Sequence, residues 1–198
     1  ATNVKKATMD GRFNVSVGKI KMDCRLSIIS GGYGETIVVR LLTSQAAMLK
    51  MEDLGISSVS LVSINKSIKK TKGIIITTGP TGSGKTTTLY SILNTINKPD
   101  IKIITIEDPI EYHLSGIMQT QIDIEKGYTF SAAMRSLMRQ NPNVIMVGEI
   151  RDSETAKTAI EASMTGHLVL STIHANSAAG SIARFVGLDV ERQALASS

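Results

Sequence analysis

Residues 79–86 read GPTGSGKT, which is the pattern glycine, four residues, glycine, lysine, then serine or threonine. The apolar run GIIITT at 73–78 precedes it, and a helical pattern follows it. This leaves few folds open: a buried strand must deliver the loop, and a helix must start from it. Gly79, Gly82 and Gly84 permit the backbone angles and close approach that let N–H groups wrap phosphate oxygens. The start of the helix adds partial positive charge. Pro80, Thr81, Ser83 and Thr87 complete the stretch expected to contact phosphate. Lys85 is expected to reach the β- and γ-phosphates of a nucleotide, and the Thr86 hydroxyl to hold Mg²⁺.

From residue 73 onward, short strand patterns alternate with helical ones, so the expected fold class is α/β with a parallel sheet covered on both faces. The pattern predicts strands at 73–78, 102–106, 144–147 and 167–173, and helices at 85–96, 129–139, 153–164 and 178–186. Residues 112–127 resemble an inserted strand or hairpin. Upstream, 13–17, 20–29 and 36–42 are β-rich and separated by glycine turns, which suggests a small antiparallel or mixed sheet. A helix with a basic end is expected at 59–70. The resulting plan is a β-rich partial domain at 1–48, a linker at 49–58 and a core at 59–198.

No apolar run approaches the roughly 18–20 residues needed to cross a bilayer. The first residues, ATNVKKATMDGR, lack the apolar centre of an export signal and do not begin with Met, so a fragment of a soluble protein in a reducing compartment is expected. The single Cys24 excludes an internal disulfide and reads as a half-buried strand residue. His113, His167 and His174 follow no metal-ligand spacing. The net charge of +5 would suit phosphates, acidic surfaces or nucleic acid. Lys5 and Lys6, and the lysines at 66–72, read as solvated faces. Aromatic residues make up only 4% of the chain, which disfavours base stacking and direct nucleic-acid binding.

Two carboxylates compete for the role of water-orienting base. Glu149 follows the apolar run 144–147, where an acidic group at a strand end can orient water or order a Mg²⁺ shell through water. Gly148 stands where many such proteins have Asp, so metal contact through this strand would run through water. Glu107 ends the run 103–107 ahead of Asp108 and Pro109, and it is the rival base or metal-water ligand. His174, just past the run 167–173, fits a sensor of the γ-phosphate, and His167 a structural hydrogen-bonding residue. The sequence Asn97-Lys98-Pro99-Asp100 matches a guanine-reading pattern, but it ends the helix that the phosphate loop opens. It is therefore expected to be a turn at the far edge from the nucleotide.

Four blocks resemble the secretion ATPase superfamily, specifically the assembly motors of type II secretion and type IV pilus biogenesis. They are GPTGSGKTTTLY (79–90), IITIEDPIEYHLSGIMQTQI (103–122), RQNPNVIMVGEIRDSETA (139–156) and TGHLVLSTIHAN (165–176). They stand in the order and spacing of that family's Walker A, Asp-box, Walker B and His-box segments. Upstream, DGRF, DCRLS and GETIVVRLL resemble the end of the family's second N-terminal domain, with Arg25 and Arg40 matching arginines that reach the nucleotide and Arg12 matching more loosely.

The resemblance implies a RecA-like P-loop NTPase core preceded by part of a smaller α/β domain, with ATP and Mg²⁺ as cofactors and ATP hydrolysis as the reaction. It further implies a hexameric homo-oligomer working with an inner-membrane platform at the cytoplasmic face. The match is closer to the assembly and secretion branch than to retraction motors, with DNA-uptake motors of competence systems a close third. A nucleotide-binding fragment without turnover is a further alternative. Family members usually continue past this point, often with a four-cysteine zinc loop, so a partial motor core is expected.

Overall fold

The computed structural model describes residues 8–18, 20–43 and 49–198. Lys5, Lys6 and the ends of the expected 1–48 domain lie outside the described residues. The chain divides into two compact units, Ala1–Ala46 and Ala47–Ser198.

The first unit is an antiparallel meander of β1 (Thr8–Val17), β2 (Ile20–Gly31) and β3 (Gly34–Thr43). All three strands run further than the sequence pattern predicted. Because side chains alternate across a strand, paired positions share a face. Met9, Gly11 and Phe13 pair with Ile28, Leu26 and Cys24, which pair in turn with Ile37, Val39 and Leu41. That face is apolar, and Cys24 at 1% exposure is fully buried rather than half-buried. On the other face Arg12, Arg25 and Arg40 stand directly opposite one another across the three strands. The row concentrates positive charge on that face.

The second unit opens with a 3₁₀ turn, Met51–Leu54, inside the stretch expected as a linker. Its Met51 is buried in the core. Helix α1 (Ser58–Ser67) is capped by Ser57, whose side chain accepts from the Ser60 N–H. It stops at Ser67, so of the expected basic end only Lys66 is helical.

The sheet that follows is parallel throughout, in the order β4-β8-β7-β5-β6. Its strands are β4 (Gly73–Thr78), β5 (Ile103–Glu107), β6 (Met118–Gln121), β7 (Val144–Ile150) and β8 (Leu168–Ile173). The helices are α2 (Lys85–Ile96), α3 (Phe130–Met138), α4 (Ser153–Met164), α5 (Ala178–Gly187) and α6 (Arg192–Ser197). The insert at 112–127 supplies β6, which joins the sheet parallel to β5 rather than forming a hairpin.

Burial on both faces explains why the central strands are nearly continuous runs of Ile, Val and Leu. One face packs Ile103, Met146 and Leu170 against Leu89, Leu93 and Ile96 of α2. The other packs Ile104, Ile145 and Val169 against residues of α3, α4 and α5, including Met134, Ile160 and Phe185. The second unit is a three-layer α/β sandwich, its parallel sheet between two layers of helices. Its strands point their carboxyl ends at one edge, where the phosphate loop lies.

Candidate functional site

The loop between β4 and α2 is built as its sequence requires. Gly79 has φ 144°, and a Cβ there would meet Ser83 Oγ at 2.7 Å, so only glycine fits. Gly82 and Gly84 also carry positive φ, and Gly84 is the residue from which α2 starts. The Ser83 hydroxyl donates to the Pro80 carbonyl at 2.8 Å, tightening the turn. Lys85 folds over the loop, donating to the carbonyls of Gly79 (2.9 Å) and Pro80 (2.8 Å).

A cavity of about 400 Å³ adjoins this loop. Of the residues expected to touch phosphate, Thr81, Gly82, Gly84, Lys85, Thr86 and Thr87 line it. Gly79, Pro80 and Ser83 form the body of the loop behind them. The cavity also gathers Glu107, Glu149 and His174 from the ends of three neighbouring strands. Arg25 and Arg40 lie in the first unit, where with Arg12 and Asp10 they line a separate cavity of about 410 Å³.

The two carboxylates are held differently. Glu107 ends β5 and is 3% exposed. The Thr105 hydroxyl donates to its Oε1 at 2.5 Å, Gln119 Nε2 donates to the same oxygen at 3.0 Å, and the Tyr90 hydroxyl donates to Oε2. Burial, then the charge of Glu107, pushes the Tyr90 phenol far above its ordinary range, so Tyr90 remains a donor.

Glu149 is partly open to solvent. Arg151 reaches its Oε1 at 2.5 Å, and His174 Nε2 lies 3.5 Å from its Oε2. Sequence placed Glu149 beyond a strand ending at 147, whereas β7 continues to Ile150. Val147 pairs with Ser171 and Ile150 with Ile173, so Gly148 and Glu149 together oppose Thr172 in a β-bulge. The bulge aims Glu149 into the cavity. It also explains Gly148, since a Cβ there would meet the Ile106 carbonyl at 3.3 Å and Glu107 Cα at 3.5 Å. The Thr172 hydroxyl, donating to the Gly148 carbonyl at 2.8 Å, pins the bulge.

Sequence reasoning missed Tyr90, Thr105, Gln119 and Thr172. Thr105 and Glu107 are two apart on one strand and therefore share a face, a signal that was readable. Tyr90 and Gln119 needed the tertiary fold. His167 is structural, its Nδ1 lying 3.2 Å from the Ala162 carbonyl. Asn97 sits at the other end of α2, a helix of twelve residues, where its side chain donates to the Ser115 carbonyl. Lys98, Pro99 and Asp100 line a different cavity with it, away from the phosphate loop. Among the described residues, no cluster of three or more His, Cys, Asp or Glu could hold a metal ion. No helix among them is long and apolar enough to cross a membrane.

A phosphate loop opening a helix, with acidic residues at the ends of neighbouring parallel strands, defines a RecA-like P-loop protein. The chain belongs to the family described as Type II/IV secretion system protein, which matches residues 3–198. It is 49% identical over 194 residues to the type II secretion system protein E of Pseudomonas aeruginosa, covering 98% of this chain and 39% of that protein. The putative type II secretion system protein E of Escherichia coli is 46% identical over the same shares. The chain thus spans about two fifths of the length of these relatives.

Among solved structures, the pilus retraction motor PilT with bound ADP matches at TM-score 0.76 and 34% identity, over 93% of this chain and 53% of that one. The Legionella pneumophila ATPase DotB matches at TM-score 0.75 and 28% identity, over 96% of this chain and 53% of that one.

Proposed function

We propose that this chain is the ATP-hydrolysing core of a motor that powers type II protein secretion or type IV pilus assembly. The observation that carries the reading is the single cavity that brings Lys85 and Thr86 of the phosphate loop together with Glu107, Glu149 and His174. Family membership and the ADP in PilT support the nucleotide. The relatives named as type II secretion proteins support the secretion branch.

The donor set suits Mg²⁺ delivered with phosphate. Thr86 offers one hydroxyl and the two glutamates stand ready to order water, too few protein ligands for a metal bound alone. When bound, the metal would neutralise charge on the transferring phosphoryl group.

The work of the chain's own residues is positioning and electrostatics. The loop amides and Lys85 hold the phosphates. Glu149, on its bulge, accepts a hydrogen bond from the attacking water and orients it. His174 bridges Glu149 and the γ-phosphate position. Arg25 and Arg40 supply positive charge to the nucleotide when copies of the chain come together in a homo-oligomeric, hexameric ring. That ring would act on a platform complex at the cytoplasmic face of the inner membrane.

Separate measurement of ATP binding and turnover in the wild type and in Lys85→Ala tests the assignment. Lys85→Ala should abolish turnover and weaken ATP binding, because the loop loses its charged phosphate contact. Near-normal hydrolysis by that variant would sink the phosphate-loop assignment. Binding without turnover in the wild type would leave a nucleotide-binding module.

A further inference from the structure

Glu107 is unusually committed for a residue that lines a cavity. A carboxylate offers about four lone-pair sites. The hydroxyls of Thr105 and Tyr90 and the amide of Gln119 take three of these, with two bonds on Oε1 and one on Oε2. By this count one site on Oε2 is left, on a residue that lines the cavity.

Two of those donors come from elements that build the rest of the cavity. Tyr90 sits on α2, the helix whose first turn carries Lys85 and Thr86. Its bond to Glu107 ties the end of β5 to the phosphate-loop helix. Gln119 belongs to β6, and both ends of its amide are engaged. Nε2 donates to the Tyr112 carbonyl at 3.0 Å as well as to Glu107, and Oε1 accepts the Leu114 N–H at 2.6 Å. Tyr112 in turn packs edge-on against the Tyr90 ring, with centroids 6.0 Å apart and planes at 76°. The loop is closed: α2, β5, β6 and the cavity wall meet at one carboxylate.

We infer that Tyr90 and Gln119 are positioning residues that fix the free lone pair of Glu107 relative to Lys85 and Thr86. This rests on reading Glu107 as a working carboxylate of the nucleotide site. A buried tyrosine that only filled the core would need a hydrogen-bond partner too, but it would have no reason to share that partner with a glutamine that also holds the cavity wall. A network in which each member satisfies the next rigidifies its site beyond the sum of its bonds.

A double-mutant cycle separates positioning from packing. Tyr90→Phe keeps the ring and removes only the hydroxyl. It should lower the turnover number about tenfold, as loss of a group that orients a catalytic carboxylate does, with ATP affinity changed by less than about twofold. In a Glu107→Gln background the same substitution should cost less than about twofold more, because residues that act through one another are not additive. Gln119→Met should follow the same pattern, which guards against a folding defect peculiar to one variant.

Equal losses in both backgrounds, or wild-type turnover in Tyr90→Phe, would overturn the positioning role while leaving the nucleotide reading intact. Absence of ATP binding in the wild type would overturn the nucleotide reading, and the role given to Tyr90 with it. If ATP binds without measurable turnover, the cycle is read on the gain in ATP affinity that Mg²⁺ brings. Non-additivity there supports the role and additivity removes it.

Discussion

The ends of β5 and β7 bring the same side chain to the same cavity and treat it in opposite ways. At β5, Glu107 is buried and its oxygens are taken up by three protein donors. At β7, Glu149 stands on a bulge, partly exposed, with partners that are themselves exposed: Arg151 and His174. Exposed partners are easily exchanged for water or ligand, since contacts to solvated side chains hold their geometry weakly. A carboxylate that must accept a proton or steer a moving water needs that freedom, and one that must define a fixed point needs the opposite. The sheet provides both within one cavity, by ending one strand in a hydrogen-bonded pocket and kinking the other.

The largest test of this division exchanges each carboxylate for its amide. Glu149→Gln should cut turnover roughly 10²-fold or more with ATP binding intact, as for loss of a water-orienting base. Glu107→Gln should cost less, and should raise the Mg²⁺ concentration needed for half-maximal turnover. It should also fold well. Its amide oxygen can face Thr105 and Gln119 while its NH₂ faces Tyr90, whose hydroxyl can turn to accept. Steady-state rates across a Mg²⁺ titration give both effects. If Glu107→Gln traps ATP and Glu149→Gln is mild, the two roles are exchanged.

A smaller effect is expected from Gly148→Ala, which tests whether the spacing between the two strand ends matters. The new methyl would meet backbone of β5, at Ile106 and Glu107, and backbone yields less readily than a side-chain tip. Overpacking of this kind costs about 1–3 kcal/mol, and here it should also lower turnover several-fold by pushing the carboxylates apart. Thermal unfolding and rate measured together check both. Lost stability at unchanged rate would mean that the bulge serves the fold alone.

How much of this was legible beforehand follows from which signals are local. The phosphate loop was readable because its glycines, its lysine and its flanking strand and helix are all contiguous in sequence. The central strands were readable because burial on both faces leaves runs such as IITI and VIMV. The bulge was not, since it is a count of residues on β7 against β8, and neither strand alone reveals it. That is why Glu149 was expected past the strand rather than within it. Tyr90 looked like any core aromatic on a helix, and Gln119 like an edge-strand polar residue. Only the register that sets Gln119 beside Thr105, and the packing of α2 on that face, bring them to Glu107.

The smallest expected effect sharpens the β5 side of the comparison through pH. In an unfolded chain Tyr90 would lose its proton near its ordinary value of about 10. In the folded protein, burial first and then the neighbouring Glu107 charge hold that proton to a much higher pH. Above pH 10 the folded state thus binds more protons than the unfolded one, and stability falls as pH rises. The loss attributable to Tyr90 should reach about 1.4 kcal/mol by pH 11, one pH unit past the unfolded value. Phenylalanine has no proton to lose, so Tyr90→Phe should lack this component. Every other side chain is common to both proteins and cancels in the difference. Urea unfolding of the two proteins at pH 8, 9, 10 and 11 provides the comparison. Curves that converge on the alkaline side place the Tyr90 hydroxyl where the structure has it, sealed against a charged carboxylate. Curves that stay parallel would mean that Tyr90 ionises freely, that Glu107 lacks its third donor, and that the two strand ends are more alike than their hydrogen bonds indicate.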